Sequence, residues 1–208
     1  DVFAEKDSGV EIPYIIMQYI EGESLDKAIK KSPMHINKVK TAAGNILDAI
    51  AEIHKQGLSN LDIKPANIII REDEDKAVLI DFGLAKIIFE DVKITVTAVK
   101  PATLYYMSPE QFQDNLSVGK GVDIYSFGVV LFEMLTGKPP FSGDNPFKIM
   151  DEHLNNPIPH INNIISPNVP GEIQSVIEKA MAKTPENRYQ TAGEFLRALT
   201  EFEAGKNE

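Results

Sequence analysis

The sequence predicts an α+β fold that is mostly helical, with a little β structure at one edge. Three observations predict it. Residues 122–135 are apolar almost all round, as a helix buried in the middle of a domain must be. Residues 36–55 carry Val39, Ala43, Ile46, Leu47, Ile50 and Ile53 at helical spacing. Two short apolar runs, 68–70 and 77–80, flank a charged turn and read as a hairpin.

The remaining elements follow in chain order. Residues 13–20 read as a buried strand with a tight exit at Glu21-Gly22. Ser24-Leu25 opens a short helix that ends before Ser32-Pro33, and Gly57 is a suitable stop for the helix over 36–55. The acidic turn Glu72, Asp73, Glu74, Asp75 lacks the glycine and closing glutamate of a calcium loop, so it reads as a solvated hairpin tip. Residues 84–107 show no clean period and read as a long loop, of a length that is usually functional or mobile. Asn145-Pro146 supplies an N-cap followed by proline at the first helical position. Helices are expected over 171–183 and 191–203, the second opened by the capping box Thr191-x-x-Glu194.

Composition narrows the function. With 208 residues, 43% of them hydrophobic, the chain suffices for one domain with a substantial core. A net charge of −10 argues against a nucleic-acid backbone as partner. There is no cysteine, hence no disulfide and no thiolate metal site, and the four histidines are scattered and read as ordinary surface or core residues. The longest apolar stretch is too short for a membrane span.

The chemistry concentrates in Asp62-Ile63-Lys64-Pro65-Ala66-Asn67, followed fourteen residues after Asn67 by Asp81-Phe82-Gly83. Phosphoryl transfer asks a protein mainly for position and charge neutralisation. Asp62 can accept a hydroxyl proton, Lys64 can neutralise a migrating phosphate, and Asn67 and Asp81 offer the hard oxygen donors that Mg²⁺ (or Mn²⁺) prefers. D-x-x-x-x-N alone and D-F-G alone are weak signals. Together at this spacing, with Lys64-Pro65 inside the first, they are strong.

With Ser108-Pro109-Glu110 downstream, these motifs resemble the eukaryotic-type serine/threonine protein kinases, most closely their bacterial branch. The resemblance covers nearly the whole chain and implies a kinase large lobe with a small hairpin and a remnant of the small-lobe sheet. Residues 1–20 would be small-lobe strands and hinge, 21–204 the large lobe and 205–208 a tail. It implies ATP as phosphate donor, a protein Ser or Thr hydroxyl as acceptor, and a cytoplasmic location, in a free protein or in the cytoplasmic part of a membrane-anchored one. Asp62 matches the catalytic aspartate and Lys64 the lysine of serine/threonine specificity, while Asn67 and Asp81 match the metal ligands. Met17, Gln18, Tyr19 and Ile20 would form gatekeeper and hinge, Ile69 the adenine-pocket floor, and Ser24 would lie near the ribose. Thr103 would bridge Asp62 and Lys64, Glu110 would pair with Arg188, and Asp123 would accept backbone N–H bonds from the catalytic loop. Thr95 and Thr97 fall where bacterial relatives are autophosphorylated.

Two departures stand out. Asn60 and Leu61 occupy the places of the usual His-Arg. Leu61 cannot clamp a phosphate, so phosphate on Thr95 or Thr97 is expected to act weakly on rate or to serve as a docking mark. Asn60 replaces a ring that normally stacks at the Phe82 position, so a less stable active arrangement is expected. The 208 residues also contain no glycine-rich G-x-G-x-x-G and no V-A-I-K-type lysine before the hinge. Together with an initial Asp rather than Met, this leads us to expect a piece of a longer kinase that alone transfers little phosphate. Strand 13–18 would then be left with an unpaired edge, exposing apolar surface and favouring a homodimer or poor solubility. The alternatives are a pseudokinase-like binding scaffold and, ranked last, a small-molecule kinase of the aminoglycoside phosphotransferase type.

Overall fold

The computed structural model describes residues 2–7, 10–71, 76–81, 101–113, 119–164 and 169–201. Two strands open the chain. β1 (Val2–Asp7) and β2 (Val10–Ile15) pair antiparallel, with Val2 opposite Ile15 and Asp7 opposite Val10. The strand expected over 13–20 therefore stops at Ile15. Beyond it, Ile16, Met17 and Tyr19 are 60%, 56% and 86% exposed. An apolar run predicts burial only where another element covers it. β1 pairs along one side of residues 10–15 in a two-stranded sheet, and among the described residues no strand pairs with the other side.

The tight exit holds. Gly22 has φ 152°, and a Cβ there would lie 2.3 Å from the Ile70 carbonyl oxygen, so a side chain would fit neither the backbone nor the space. This close approach seats the chain beside a second sheet of β3 (Glu23–Ser24), β4 (Ile68–Ile70) and β5 (Ala77–Leu79), in that antiparallel order. Ser24 pairs with Ile69, and Ile69 with Val78.

Helix α1 (Leu25–Lys31) follows Ser24 as its N-cap, and α2 (Ile36–Lys55) runs twenty residues with Gly57 at φ 75° just past its end. Helix α3 (Pro101–Leu104), four residues long, interrupts the end of the segment expected as a loop over 84–107, and a second four-residue helix, α4 (Pro109–Phe112), follows it. Helix α5 (Lys120–Thr136) is buried along nearly its full length and packs against α2 and α7 (Glu172–Ala180). At Gly128 the α7 end comes so close that an added Cβ would sit 2.8 Å from Met181 Cγ. Helix α6 (Pro146–Asn155) begins as expected, with the Asn145 side chain accepting from the N–H groups of Phe147 and Lys148. Helix α8 (Ala192–Glu201) packs on α2. Its capping box is shifted: Thr191 Oγ1 accepts from Glu194 N–H, but the Glu194 carboxylate reaches Gln190 N–H.

One apolar core joins α2, α5, α7, α8 and the second sheet. The loop between α2 and β4 thus lies directly on the end of the central helix.

Candidate active site

The loop over residues 60–67 is fixed from below by one carboxylate. Asp123, in the first turn of α5, is fully buried and accepts three hydrogen bonds: from Asn60 N–H at 2.9 Å, from Leu61 N–H at 2.8 Å and, on the same oxygen as Asn60, at 2.8 Å from His54 Nε2. The expected role of Asp123 is thereby realised. Leu61 has φ 64°, a left-handed conformation costly for a branched side chain, and its bonded N–H helps hold it. A single 3-10 turn, Pro65–Asn67, then carries the loop into β4.

This backbone brings three of the expected residues together. Lys64 Nζ lies 2.8 and 2.6 Å from the two Asp62 carboxylate oxygens. Asn67 Nδ2 donates to the Asp62 carbonyl and to Asp62 Oδ2, each at 2.9 Å. Both amide protons of Asn67 are thus turned to Asp62, which directs its oxygen elsewhere. Asp62 and Lys64 are part-exposed, so their attraction is screened and serves placement more than stability.

Asp81 joins through the backbone. Ile80 N–H bonds the Asn67 carbonyl at 2.8 Å, which sets Asp81 one residue from the Asn67 register. Asp81 has φ 60°, its side chain is exposed, and its carbonyl accepts from Asn60 Nδ2 at 3.2 Å. Leu61 and Asp81 are the non-glycine residues with positive φ among those described, and both flank this site. Among the described residues no three His, Cys, Asp or Glu cluster as a metal site. The donor set here, one amide oxygen and one carboxylate, suits Mg²⁺, which takes few protein ligands and completes its shell with water and phosphate.

The nucleotide-side residues divide. Ser24 and Ile69 lie side by side across β3 and β4, both half-buried. Met17, Gln18 and Tyr19 are exposed and Ile20 half-buried. Thr103 lies in α3, and its carbonyl accepts from Tyr106 N–H. The bridge from Thr103 to Asp62 and Lys64 is not among the hydrogen bonds of the described residues, where Lys64 instead bonds Asp62 directly. Phe82, Gly83, Thr95 and Thr97 lie outside the described residues.

The Glu110–Arg188 pair is present and bidentate, both bonds at 2.7 Å. It ties α4 to the segment after α7, and Arg188 also donates to the carbonyls of Ala182, Lys183 and Gly121. Elsewhere on α5, Glu133 accepts from Tyr106 Oη at 2.6 Å, and burial raises both of their pKa values. His153 is fully buried, with Nδ1 at 2.8 Å from Tyr125 Oη, and desolvation pushes its pKa down to about 3.

Sequence reasoning undervalued one residue. Asn60, expected only to weaken the arrangement, is 1% exposed and hydrogen-bonded through both ends of its amide. Its Asp81 partner is twenty-one positions away, so no local pattern announces it. His54 and His153 are core residues, as the scattered histidines were read.

A family profile described as "Protein kinase domain" matches residues 2–198. The chain is 38% identical over 205 residues to a serine/threonine-protein kinase PknB of Mycobacterium leprae, covering 98% of this chain and 32% of that protein. It is 39% identical over 191 residues to a probable serine/threonine-protein kinase of Clostridium acetobutylicum, covering 91% and 28%. The chain therefore spans about a third of the length of the curated relatives it matches. Among solved structures, Rad53 1-466 in complex with AMP-PNP aligns with a TM-score of 0.73 at 26% identity, covering 94% of this chain and 48% of that one.

Proposed function

The chain belongs to the protein kinase family, and from that premise we propose that it is the large lobe of a bacterial-type serine/threonine kinase that moves the γ-phosphate of ATP to Ser or Thr hydroxyls of proteins. One observation carries the proposal: Lys64 and Asn67 both converge on the Asp62 carboxylate within a single buried-backed loop. In the reaction the Asp62 carboxylate accepts the proton of the acceptor hydroxyl as its oxygen bonds the γ-phosphorus and the bond to the β-phosphate oxygen breaks, leaving ADP. As found here, Asp62 is occupied by Lys64. Lys64 must turn toward the phosphate, which frees a carboxylate oxygen for the proton and places an ammonium on the migrating charge. The Asn67 amide oxygen and the Asp81 carboxylate would hold Mg²⁺, which supplies neutralisation of the phosphate oxygens. Ser24 and Ile69 would border the ribose and adenine, with the 17–20 segment as hinge.

The proposal includes the limits of these 208 residues. They hold no G-x-G-x-x-G loop and no V-A-I-K-type lysine before the hinge, so Mg²⁺-dependent transfer from [γ-³²P]ATP to a Ser/Thr-rich protein should be near background. In a form extended upstream to include those parts, transfer should appear and Asp62→Asn should remove at least about a hundredfold of it. Retained transfer in Asp62→Asn sinks the assignment. A second reading, a binding scaffold, draws on exposed Ile16, Met17 and Tyr19. It requires that the extended form stay inactive and that these side chains become covered in a complex or homodimer.

A further inference from the structure

Away from the Asp62 loop, one region breaks the charge pattern of the chain. Residues 27–47 carry five lysines and neither aspartate nor glutamate, in a chain of net charge −10. Lys30 and Lys31 are paired back to Asp26 and Glu23, at 3.2 and 2.7 Å. Lys38 is exposed and has no ion-pair partner among the described residues. It borders a cavity of about 410 Å³, walled by α1, the turn over 32–35, the first two turns of α2 and the end of β4. Ala28, Pro33, Met34, Ala42 and Ile70 make the wall mostly apolar, while Asn37, Lys38 and Thr41, all on α2, give it a polar side. Thr41 Oγ1 already donates to the Asn37 carbonyl at 3.2 Å, so Lys38 is the charged donor left open there. The cavity shares no residue with the set Asp62, Lys64, Asn67 and Asp81.

The wall is held from behind. Met34 N–H bonds the Met134 carbonyl on α5 at 2.8 Å, and Pro33 rests against Gly137, where an added Cβ would lie 3.3 Å from Pro33 Cγ. Met34 and Ile70 pack on the main core, and Ala42 belongs to it. The cavity is therefore formed before any ligand arrives, so binding orders little. A site of this size, with an apolar wall and one charged donor at its edge, suits a small molecule with an apolar body and one anionic group. A peptide suits it less, because peptide docking uses a free strand edge or a long groove, and these residues surround a single cavity. We propose that this cavity is a binding site for a small amphiphilic carboxylate, with its chain against Ala28 and Ile70 and its carboxylate on Lys38. The proposal does not depend on the kinase reading.

The test is an NMR titration of the 208-residue protein with octanoate, octanol and octylammonium, which share a chain and differ in head group. Octanoate should shift the signals of Ala28, Thr41, Ala42 and Ile70 saturably. Octanol should bind about tenfold more weakly, and octylammonium more weakly still. Lys38→Glu should weaken octanoate about tenfold, from one attraction lost and one repulsion gained at a solvated rim, and should strengthen octylammonium. A merely structural role would not invert that preference. Ala28→Phe fills the cavity and should remove the shifts. Thr41→Phe, at an exposed position of the same wall, carries the same expectation should Ala28→Phe fail to fold. The proposal is overturned by an absence of saturable shifts, by equal binding of the three head groups, by octanoate binding within twofold in Lys38→Glu, or by shifts confined to Ile16, Met17 and Tyr19. It is also overturned if octanoate leaves Ala28 and Ile70 unmoved while a Glu-Leu-Glu-Leu-Glu peptide shifts them, which makes the cavity a protein-docking site instead.

Discussion

Replacing Arg188 with methionine should come close to unfolding the protein. Arg188 is 2% exposed, and its guanidinium makes two 2.7 Å bonds to Glu110 plus three to carbonyls, while resting 4.9 Å from the Tyr125 ring centre. Methionine fills much of the volume but leaves the Glu110 carboxylate buried without its cation. One-sided loss of a buried pair costs about 3–5 kcal/mol. The carbonyls of Ala182, Gly121 and Lys183 lose donors as well, at about 1 kcal/mol for each that water does not reach. Against a total stability of about 5–15 kcal/mol, a loss of about 5 is severe. In urea, followed by far-ultraviolet circular dichroism, an m of about 2–3 kcal/mol/M makes that a midpoint shift of about 2 M. Adding Glu110→Leu to Arg188→Met removes the stranded charge. The double variant should regain about 2 kcal/mol over Arg188→Met alone, because apolar replacement of a whole buried pair is often near neutral. A shift below about 0.5 M for Arg188→Met, or a double variant at least as unstable as the sum of the singles, would show that the Glu110–Arg188 pair does not hold α4 in place.

Glycines 44 and 128 should respond to alanine with opposite signs. At Gly128 the new methyl meets Met181 and Ala180 at 2.8 and 3.1 Å, a clash of about 1–3 kcal/mol that outweighs the helix-propensity gain, whereas at Gly44 the nearest atom is 3.9 Å away and a gain of about 0.5–1 kcal/mol is expected from thermal melts. His153 titrates near 3 in the folded state against an ordinary value of 6.5, so between those values the unfolded chain binds the extra proton. Stability contributed by keeping it neutral is present above pH 6.5 and lost toward pH 3 at about 1.4 kcal/mol per unit, and the stability gap between parent and His153→Gln should narrow by about that slope in urea titrations from pH 6.5 to 4.5. Thr95→Ala combined with Thr97→Ala should change the transfer rate of an upstream-extended form by well under a hundredfold, since Leu61 offers no cation to a phosphate there; a larger fall would contradict it.

Where a residue's role is set by neighbours three or four positions away, the sequence shows it. Helices α1, α2, α5, α6, α7 and α8 all lie within the expected spans or a few residues of them, because caps, proline positions and apolar period act locally. The same locality explains the failures. Helices α3 and α4 have four residues each, too few to display a period. Residues 13–20 are apolar but for Gln18, yet apolarity does not say whether another element covers them, and Ile16, Met17 and Tyr19 are largely exposed. Asn60 belongs to the same class. Beside the local bond to Asp62 N–H, which any loop asparagine can make, its partners are Asp123, sixty-three positions on, and Asp81, twenty-one positions on, and neither is announced by the residues around it.

The strain at Leu61 and Asp81 explains why the site sits where it does. Each left-handed non-glycine residue costs about 1–2 kcal/mol, and an isolated surface loop would relax it away. Here the loop carrying Leu61 rests on the most buried helix of the domain, through the two N–H bonds from residues 60 and 61 to Asp123. Relaxing Leu61 would take the N–H donor from Oδ1 of the buried Asp123 carboxylate, at a cost of about 1–3 kcal/mol, which matches or exceeds the strain. The rigid carboxylate on α5 therefore sets the conformation of 60 and 61. Asn60 passes that constraint to Asp62 and Asp81, and Asp62 in turn receives Lys64 and Asn67. Order in the polar residues at the surface thus descends from α5, which is why its first turn carries a carboxylate amid otherwise apolar burial.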